Sequence, residues 1–237
     1  LKQGSSAGRN FGTCGCVMGQ FLNRPPPHDP PLLGKTIVII SDTHGLHREL
    51  VVPDADILVH AGDWTRFGSE EDAADFNAWL GELKHRHKIV VEGNHESGAA
   101  WKKAAAEILS NATFLRNEGT ECDGVRIHGK GFFWNMKTPN PYDELIAPGT
   151  DILVAHNPAK GYLDGGHGCA ASAELVAKLH PRLYICGHIH CAKGQVQGNS
   201  ACATTLFVNG ASVVGDHHAK KGSAAFSVNG APLVVHI

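Results

Sequence analysis

The sequence predicts an α/β fold, and three observations predict it. Short apolar, β-branched runs such as Ile37-Val38-Ile39-Ile40 recur along the chain, and such runs suit strands buried on both faces. Segments with apolar residues at helical spacing lie between some of them. Several runs stop abruptly at a small polar cluster, and the carboxyl edge of an open α/β sheet is where such folds place ligands. At 237 residues and 42% hydrophobic content, the chain can bury a sizeable core.

Residues 1–33 are rich in Gly, Ser, Asn and Pro, with Pro25-Pro26-Pro27 and Pro30-Pro31 at the end. They read as a flexible tail and a stiff linker; residues 34–237 read as one domain. Within it, the run 37–40 leads into Ser41-Asp42-Thr43-His44-Gly45. Alternate residues of an extended strand end share a side, so Asp42 and His44 are expected to converge. A second run, Asp56-Ile57-Leu58-Val59-His60-Ala61-Gly62-Asp63, ends in Gly-Asp. Ser69 is an N-cap candidate with Asp72 three residues on, and Ala73, Phe76, Trp79, Leu80 and Leu83 share one face of the following helix. The third run, Lys88–Glu92, enters Gly93-Asn94-His95-Glu96, and a helix is expected over roughly 98–110.

The second half has strand-like runs at 112–116, 124–128, 151–155, 182–186, 204–208, 224–228 and 232–237, with a helix over about 171–180. The stretch Phe132–Pro148, with Trp134 and several prolines, lacks periodicity and reads as a rim loop. Asn209-Gly210 and Asn229-Gly230 suggest hairpin turns.

A net charge of −2 argues against a dedicated nucleic-acid binder, which carries a basic surplus. No apolar run reaches the roughly 18 residues of a membrane span, and the first residues lack the pattern of a signal peptide. Seven scattered cysteines read as reduced thiols, and hence a cytoplasmic setting.

The sixteen histidines are the compositional outlier. The polar clusters after five runs offer Asp42, His44, Asp63, Asn94, His156, His188 and His190. Seven donors are too many for one tetrahedral ion and about right for two ions sharing a bridge. Mixed nitrogen and oxygen donors permit Mn, Fe, Zn or Ni, with availability deciding among them and Mn taken as the first choice. Glycines stand before Asp63, Asn94 and His188, where a close backbone approach or unusual torsions would use them. His95, beside Asn94 in an extended segment, is left to act as a proton donor. His167, in Asp164-Gly165-Gly166-His167-Gly168, and the aromatics Trp64, Phe132, Phe133 and Trp134 are candidates for lining a substrate pocket. His47, His60, His85, His87, His128, His180, His217, His218 and His236 read as ordinary surface or core residues.

As an ordered set, Asp42-x-His44, Gly62-Asp63, Gly93-Asn94-His95-Glu96, His156 and Gly187-His188-x-His190 resemble the calcineurin-like metallophosphoesterase superfamily. The stretches 56–65, 76–81 and 88–96 are most similar to its MPPED (metallophosphoesterase-domain-containing) branch. The resemblance implies a four-layer αββα sandwich of two mixed β-sheets flanked by helices, around a dinuclear centre. It assigns Asp42, His44 and His190 to one metal, and Asn94, His156 and His188 to the other. Asp63 bridges the two, and His95 is the general acid, oriented by Asp63 or Glu96. It implies phosphoester hydrolysis by a metal-bridging hydroxide, with small phosphodiesters, cyclic nucleotides foremost, as substrates. Asn94, His95, Trp64 and His167 are the candidate substrate contacts. The protein-phosphatase pattern G-D-x-x-x-R-G is not matched by Gly62–Gly68, although Arg66 lies within it. Where the family has His-Gly-Pro-Pro, this chain has His156-Asn157-Pro158-Ala159. A non-catalytic nucleotide- or protein-binding module, a phosphomonoesterase and a nuclease are the rival readings.

Overall fold

The structure, a computed structural model, describes residues 33–133, 140–215 and 226–237. Almost all of the tail read over 1–33, Trp134 of the rim loop, and His217 and His218 lie outside them. Four strands, β1 (Thr36–Ile40), β2 (Ile57–His60), β3 (His87–Val91) and β4 (Thr113–Leu115), run parallel in one sheet. The second sheet draws on β5 (Glu118–Cys122), β6 (Val125–Gly129), β7 (Ile152–Val154), β8 (Leu183–Cys186), β9 (Gly194–Gln197) and β10 (Leu206–Asn209). Its order is β5-β6-β7-β8-β10-β9, parallel except for the two edges. A small antiparallel pair joins β11 (Val213–Gly215) to β12 (Phe226–Val228). The last strand, β13 (Leu233–His236), returns to the first sheet, antiparallel to β1.

Strand alternation sorts side chains into layers. From the first sheet Ile37, Ile39, Ile57, Val59, Ile89 and Val91 meet Ile127, Ile152, Val154, Leu183, Ile185 and Val208 of the second. The intervening residues Val38, Ile40, Leu58 and Val90 turn the other way, onto Phe76, Trp79 and Leu80 of α1 (Glu70–Glu82). On the far side, Leu153, Tyr184 and Phe207 pack with Val176 of α4 (Ala170–Leu179). Two sheets face to face with helices outside are the four-layer α/β sandwich expected. Ser69 Oγ caps α1 by accepting from Asp72 N at 3.1 Å.

Three details differ from the sequence reading. The helix expected over 98–110 is broken into α2 (Asn94–Ser97), a 3-10 turn at 102–104 and α3 (Ala105–Ile108). Trp101 breaks it: the ring is buried against Trp64, and its Nε1–H donates to Gly68 O at 2.8 Å. The strands β5 and β9 carry mostly exposed polar residues, so no apolar pattern announced these edges. Neither Asn-Gly pair makes a hairpin. Gly210 N bonds Cys186 O at 2.9 Å beside β8, and Asn229-Gly230 links β12 to β13 in a different sheet.

Candidate metal centre

The carboxyl ends of β1, β2, β3, β7 and β8 meet along one edge of the sandwich, and the polar clusters meet with them. The local conformation differs from the extended one expected. Asp42, His44, Asp63 and His188 all have positive φ, at 53°, 45°, 55° and 68°. For residues with a Cβ, each such backbone costs of order 1 kcal/mol or more and persists only where neighbours impose it. The neighbours here are other site loops. Asp42 N donates to Gly62 O at 2.9 Å, and His44 N to Asp63 O at 3.1 Å. His188 N donates to both oxygens of Asp42, at 3.0 and 2.9 Å. Asp42 and His44 therefore converge through left-handed turns, not through strand alternation.

Three groups of donor atoms result, each mutually within 4.8 Å: Asp42, His44 and His190; Asp63, His156 and His188; and His44, Asp63 and His95. The Nε2 atoms of His44 and His190 are 3.2 Å apart, and His190 Nε2 is 3.3 Å from Asp42 Oδ1. His156 Nε2 lies 3.3 Å from Asp63 Oδ2 and 3.1 Å from Asn94 Oδ1, while its Nδ1–H donates to Ala61 O at 2.8 Å. That backbone bond fixes the ring and leaves Nε2 facing the centre. Thus Asp63 belongs to two groups, and all seven predicted donors are brought together.

The chemistry of this donor set fits divalent cations. Asp42 and Asp63 are fully buried, and among the described residues their only cationic neighbours are imidazoles. Buried carboxylates without lysine or arginine are costly unless a cation completes them. Burial alone would raise Asp42, but His156, His190 and His44 hold it well below the usual carboxylate range. Burial opposes ionisation of Asp63 too, and His156 and His95 bring it down to about 2. Burial pushes His44 and His188 down to about 4, so both rings are neutral and ready to ligate. Burial works against the His156 cation as well, yet Asp63 and Asp42 lift it to about 10.

Close approach explains two of the glycines. A Cβ on Gly93 would lie 2.1 Å from Asp63 Oδ1, and one on Gly187 would lie 2.2 Å from Asp42 Oδ2. Each carboxylate occupies space that any side chain would fill.

His95 lies in the first turn of α2, not in an extended segment. Its backbone N–H donates to Asp63 Oδ1 at 3.0 Å, its Nδ1 is bonded to Arg66 O, and its Nε2 is 3.7 Å from Asp63 Oδ2. Glu96 serves another purpose than orienting that ring. Its carboxylate accepts from the backbone N–H of Asp63, Thr65 and Gly93, each at 2.9 Å, and from Thr65 Oγ1 at 2.6 Å. Burial and the Asp63 charge push Glu96 up to about 7.

Two pocket candidates are corrected. Trp64 is wholly buried between Phe76 and Trp101, with Nε1–H donating to Val91 O at 3.3 Å; it supports the core and cannot stack on a substrate. His167 is exposed in a turn anchored by its backbone N–H on Asp164 O at 2.8 Å, and its ring has no described contact with the donor groups. Phe132 does border the site, its ring centroid 5.7 Å from His156 and 5.9 Å from His188. Asn157, which replaces the family's glycine, donates from Nδ2 to Phe133 O at 3.3 Å and so braces that wall.

Sequence reasoning missed three supports. His60 Nδ1 accepts from Gly62 N at 3.3 Å, so its Nε2–H donates to Thr43 Oγ1 at 3.0 Å; burial holds the ring neutral, with a pKa of about 3. Phe226 lies flat on His44, centroids 4.5 Å apart. Asn209 Nδ2 reaches the carbonyls of Leu163, Gly187 and Ile189, bracing the loop of His188 and His190. Of the three, only Asn209 carries a sequence signal, as half of an Asn-Gly turn.

The comparisons agree with this geometry. The profile described as calcineurin-like phosphoesterase matches residues 35–192. A UPF0046 protein of Caenorhabditis elegans is 32% identical over 218 residues, covering 80% of this chain and 73% of that protein. Metallophosphoesterase domain-containing protein 1 of Homo sapiens is 32% identical over 228 residues, covering 78% of this chain and 69% of that one. The crystal structure of TT1561 of Thermus thermophilus shares the fold, with a TM-score of 0.57 at 18% identity, over 74% of this chain and 88% of that one. On its sequence, its layered sheets and its buried histidine and aspartate groups, the chain belongs to the calcineurin-like phosphoesterase family.

Proposed function

We propose that this metal-dependent phosphoester hydrolase cleaves small phosphodiesters, cyclic nucleotides foremost, using two divalent ions. The observation that carries the reading is the chain of three donor groups: Asp63 lies with His156 and His188, and also with His44 of the Asp42, His44 and His190 group. Asp42, His44 and His190 would hold one ion, and Asn94, His156 and His188 the other, with manganese the first candidate. Bound there, two cations supply neutralising charge for the phosphoryl oxygens and acidify a water. The protein's own residues do the rest. Asn94 and His95 would contact the ester. With Nδ1–H held by the Arg66 carbonyl, His95 keeps Nε2 toward the centre and passes the Nε2 proton to the departing alkoxide. Phe132 offers a flat apolar wall for a base beside His156 and His188. The described cysteines are free thiols, which supports a reducing, cytoplasmic setting.

The test combines metal analysis with a phosphoester panel of bis(p-nitrophenyl) phosphate, 2′,3′- and 3′,5′-cyclic nucleotides, and monoesters. Asp63→Asn should lose metal and turnover together. His95→Asn should retain metal and lose about 10²-fold or more on alkyl esters, with a smaller loss on nitrophenyl esters, whose leaving group needs no proton. A metal-loaded protein that turns over no ester would overturn the reading in favour of a binding module.

A further inference from the structure

Beside the donor groups lies a groove of about 410 Å³, a volume typical of small-ligand sites. Lys102, Lys103, Arg116, Glu92, Phe132 and Phe133 line it. Three cations face one carboxylate there, in a chain whose net charge is −2.

That carboxylate is committed to structure. Glu92 Oε2 accepts from Arg116 Nε at 2.9 Å and Nη2 at 2.6 Å, and Oε1 accepts from Phe132 N at 3.2 Å. The pair ties the end of β3 to the end of β4 and pins the Phe132 backbone. Arg116 Nη2 also donates to Lys102 O at 2.8 Å, which holds the 3-10 turn carrying both lysines over the groove. Lys102 and Lys103 themselves are exposed and make no ion pair among the described residues; Lys102 Nζ donates only to Ser97 O, at 3.0 Å. Two lysine ammoniums on a braced turn are point charges suited to a phosphate. Phe132 is common to both places: it lines the groove and also borders His156 and His188.

We propose that the groove is an anion subsite that takes a second phosphate of the substrate, one nucleoside away from the ester being cleaved. The substrate class is then a phosphodiester of a phosphorylated nucleoside, its base on Phe132 and its outer phosphate at Lys102 and Lys103. Cyclic mononucleotides, with a single phosphate, leave the subsite empty. Hydrolysis of such a ligand rests on the function proposed above; its binding does not.

The test compares thymidine 5′-(p-nitrophenyl phosphate) with the same ester carrying a 3′-phosphate. The metal-loaded protein should prefer the 3′-phosphorylated ester by about tenfold in kcat/KM, and the preference should shrink as salt rises. In a Lys102→Ala/Lys103→Ala double variant the ratio should fall to near one, whereas Lys178→Ala, an exposed lysine on α4, should keep it. Equal turnover of both esters by the unmodified protein overturns the subsite and leaves the hydrolase reading intact. If neither ester is cleaved, the hydrolase reading fails and binding decides the subsite. Calorimetry with thymidine 3′,5′-bisphosphate should then show affinity about tenfold weaker in the double variant, and unchanged affinity overturns the proposal.

Discussion

Gly93→Ala isolates the demand for close approach from every other property of the site. Gly93 has φ −105° and ψ −165°, an extended backbone that alanine adopts freely, so the substitution brings no torsional cost. The new Cβ would lie 2.1 Å from Asp63 Oδ1, 2.5 Å from Asp63 N and 2.7 Å from Asp63 Cγ. Ordinary carbon–oxygen contact begins at about 3.3 Å, so the carboxylate must retreat by about 1 Å. Side-chain rotation cannot relieve the contact, because the backbone nitrogen is also too close. The loops of β2 and β3 have to separate, and the bond from His95 N to Asp63 Oδ1 at 3.0 Å goes with them. Overpacking of this kind costs about 1–3 kcal/mol of stability. A 1 Å misplacement of a reacting constellation costs about 10²-fold, and a disturbed ligand environment about 10- to 100-fold in metal affinity. Gly93→Ala should therefore stay folded, lose bound metal on gel filtration, and hydrolyse bis(p-nitrophenyl) phosphate at least about 100-fold more slowly. Gly98→Ala is the control: its nearest neighbour would be Asn94 O at 4.0 Å, and it should match the unmodified protein. Gly93→Ala with full metal content and turnover within about threefold would refute the argument.

Three further outcomes follow from the same geometry. His60→Leu should leave the Gly62 N–H and the Thr43 hydroxyl without their partner, lowering stability by about 2–4 kcal/mol and Tm by roughly 5–10 °C; an unchanged Tm in differential scanning fluorimetry would remove His60 from its positioning role. In the metal-free protein His156 is protonated up to about pH 10, and a ligand imidazole must be neutral, so metal loading at pH 8 should release about one proton, read from calorimetry in buffers of different ionisation enthalpy; no release would contradict that charge state. The Tm of the metal-free protein should peak near pH 6–7. His44, His60 and His188 have folded pKa values near 4, 3 and 4, so the unfolded chain gains protons first as pH falls below about 6.5 and stability is lost there. His156, raised to about 10, stabilises below about 6.5 and loses that contribution as pH rises toward 10; a Tm that climbs steadily from pH 6.5 to 9.5 in chelator would contradict the assignment.

The layers were legible because buried parallel strands write their burial into composition. Val38 and Ile40 face α1 while Ile37 and Ile39 face the second sheet, and both environments select the same β-branched residues. The edges were not legible. In β9, Gly194-Gln195-Val196-Gln197, most side chains meet solvent, and the ladder is held by backbone bonds to β10 that any sequence can make. The donor residues were legible for a different reason: ligand chemistry restricts residue type, so Asp, Asn and His at strand ends stand out whatever the backbone does.

What the sequence hid is how those donors are held. The reading from strand alternation reached the right pair, Asp42 and His44, by the wrong geometry, since both sit in left-handed turns. Such turns are unfavourable for aspartate and histidine by themselves. They persist because His188 N and Gly62 O bind Asp42 from chain positions far away, and because Glu96 collects three backbone N–H groups of two loops. His60, Glu96 and Asn209 can do this work only where the fold brings them, so no local pattern distinguishes His60 from a core histidine. The same separation explains Trp64: it follows Asp63 in sequence, yet its ring lies in the core under α1, stacked on Phe76. Residue type therefore picks out the candidate donors, and long-range backbone bonds decide which of their sequence neighbours turn toward them and which turn into the core.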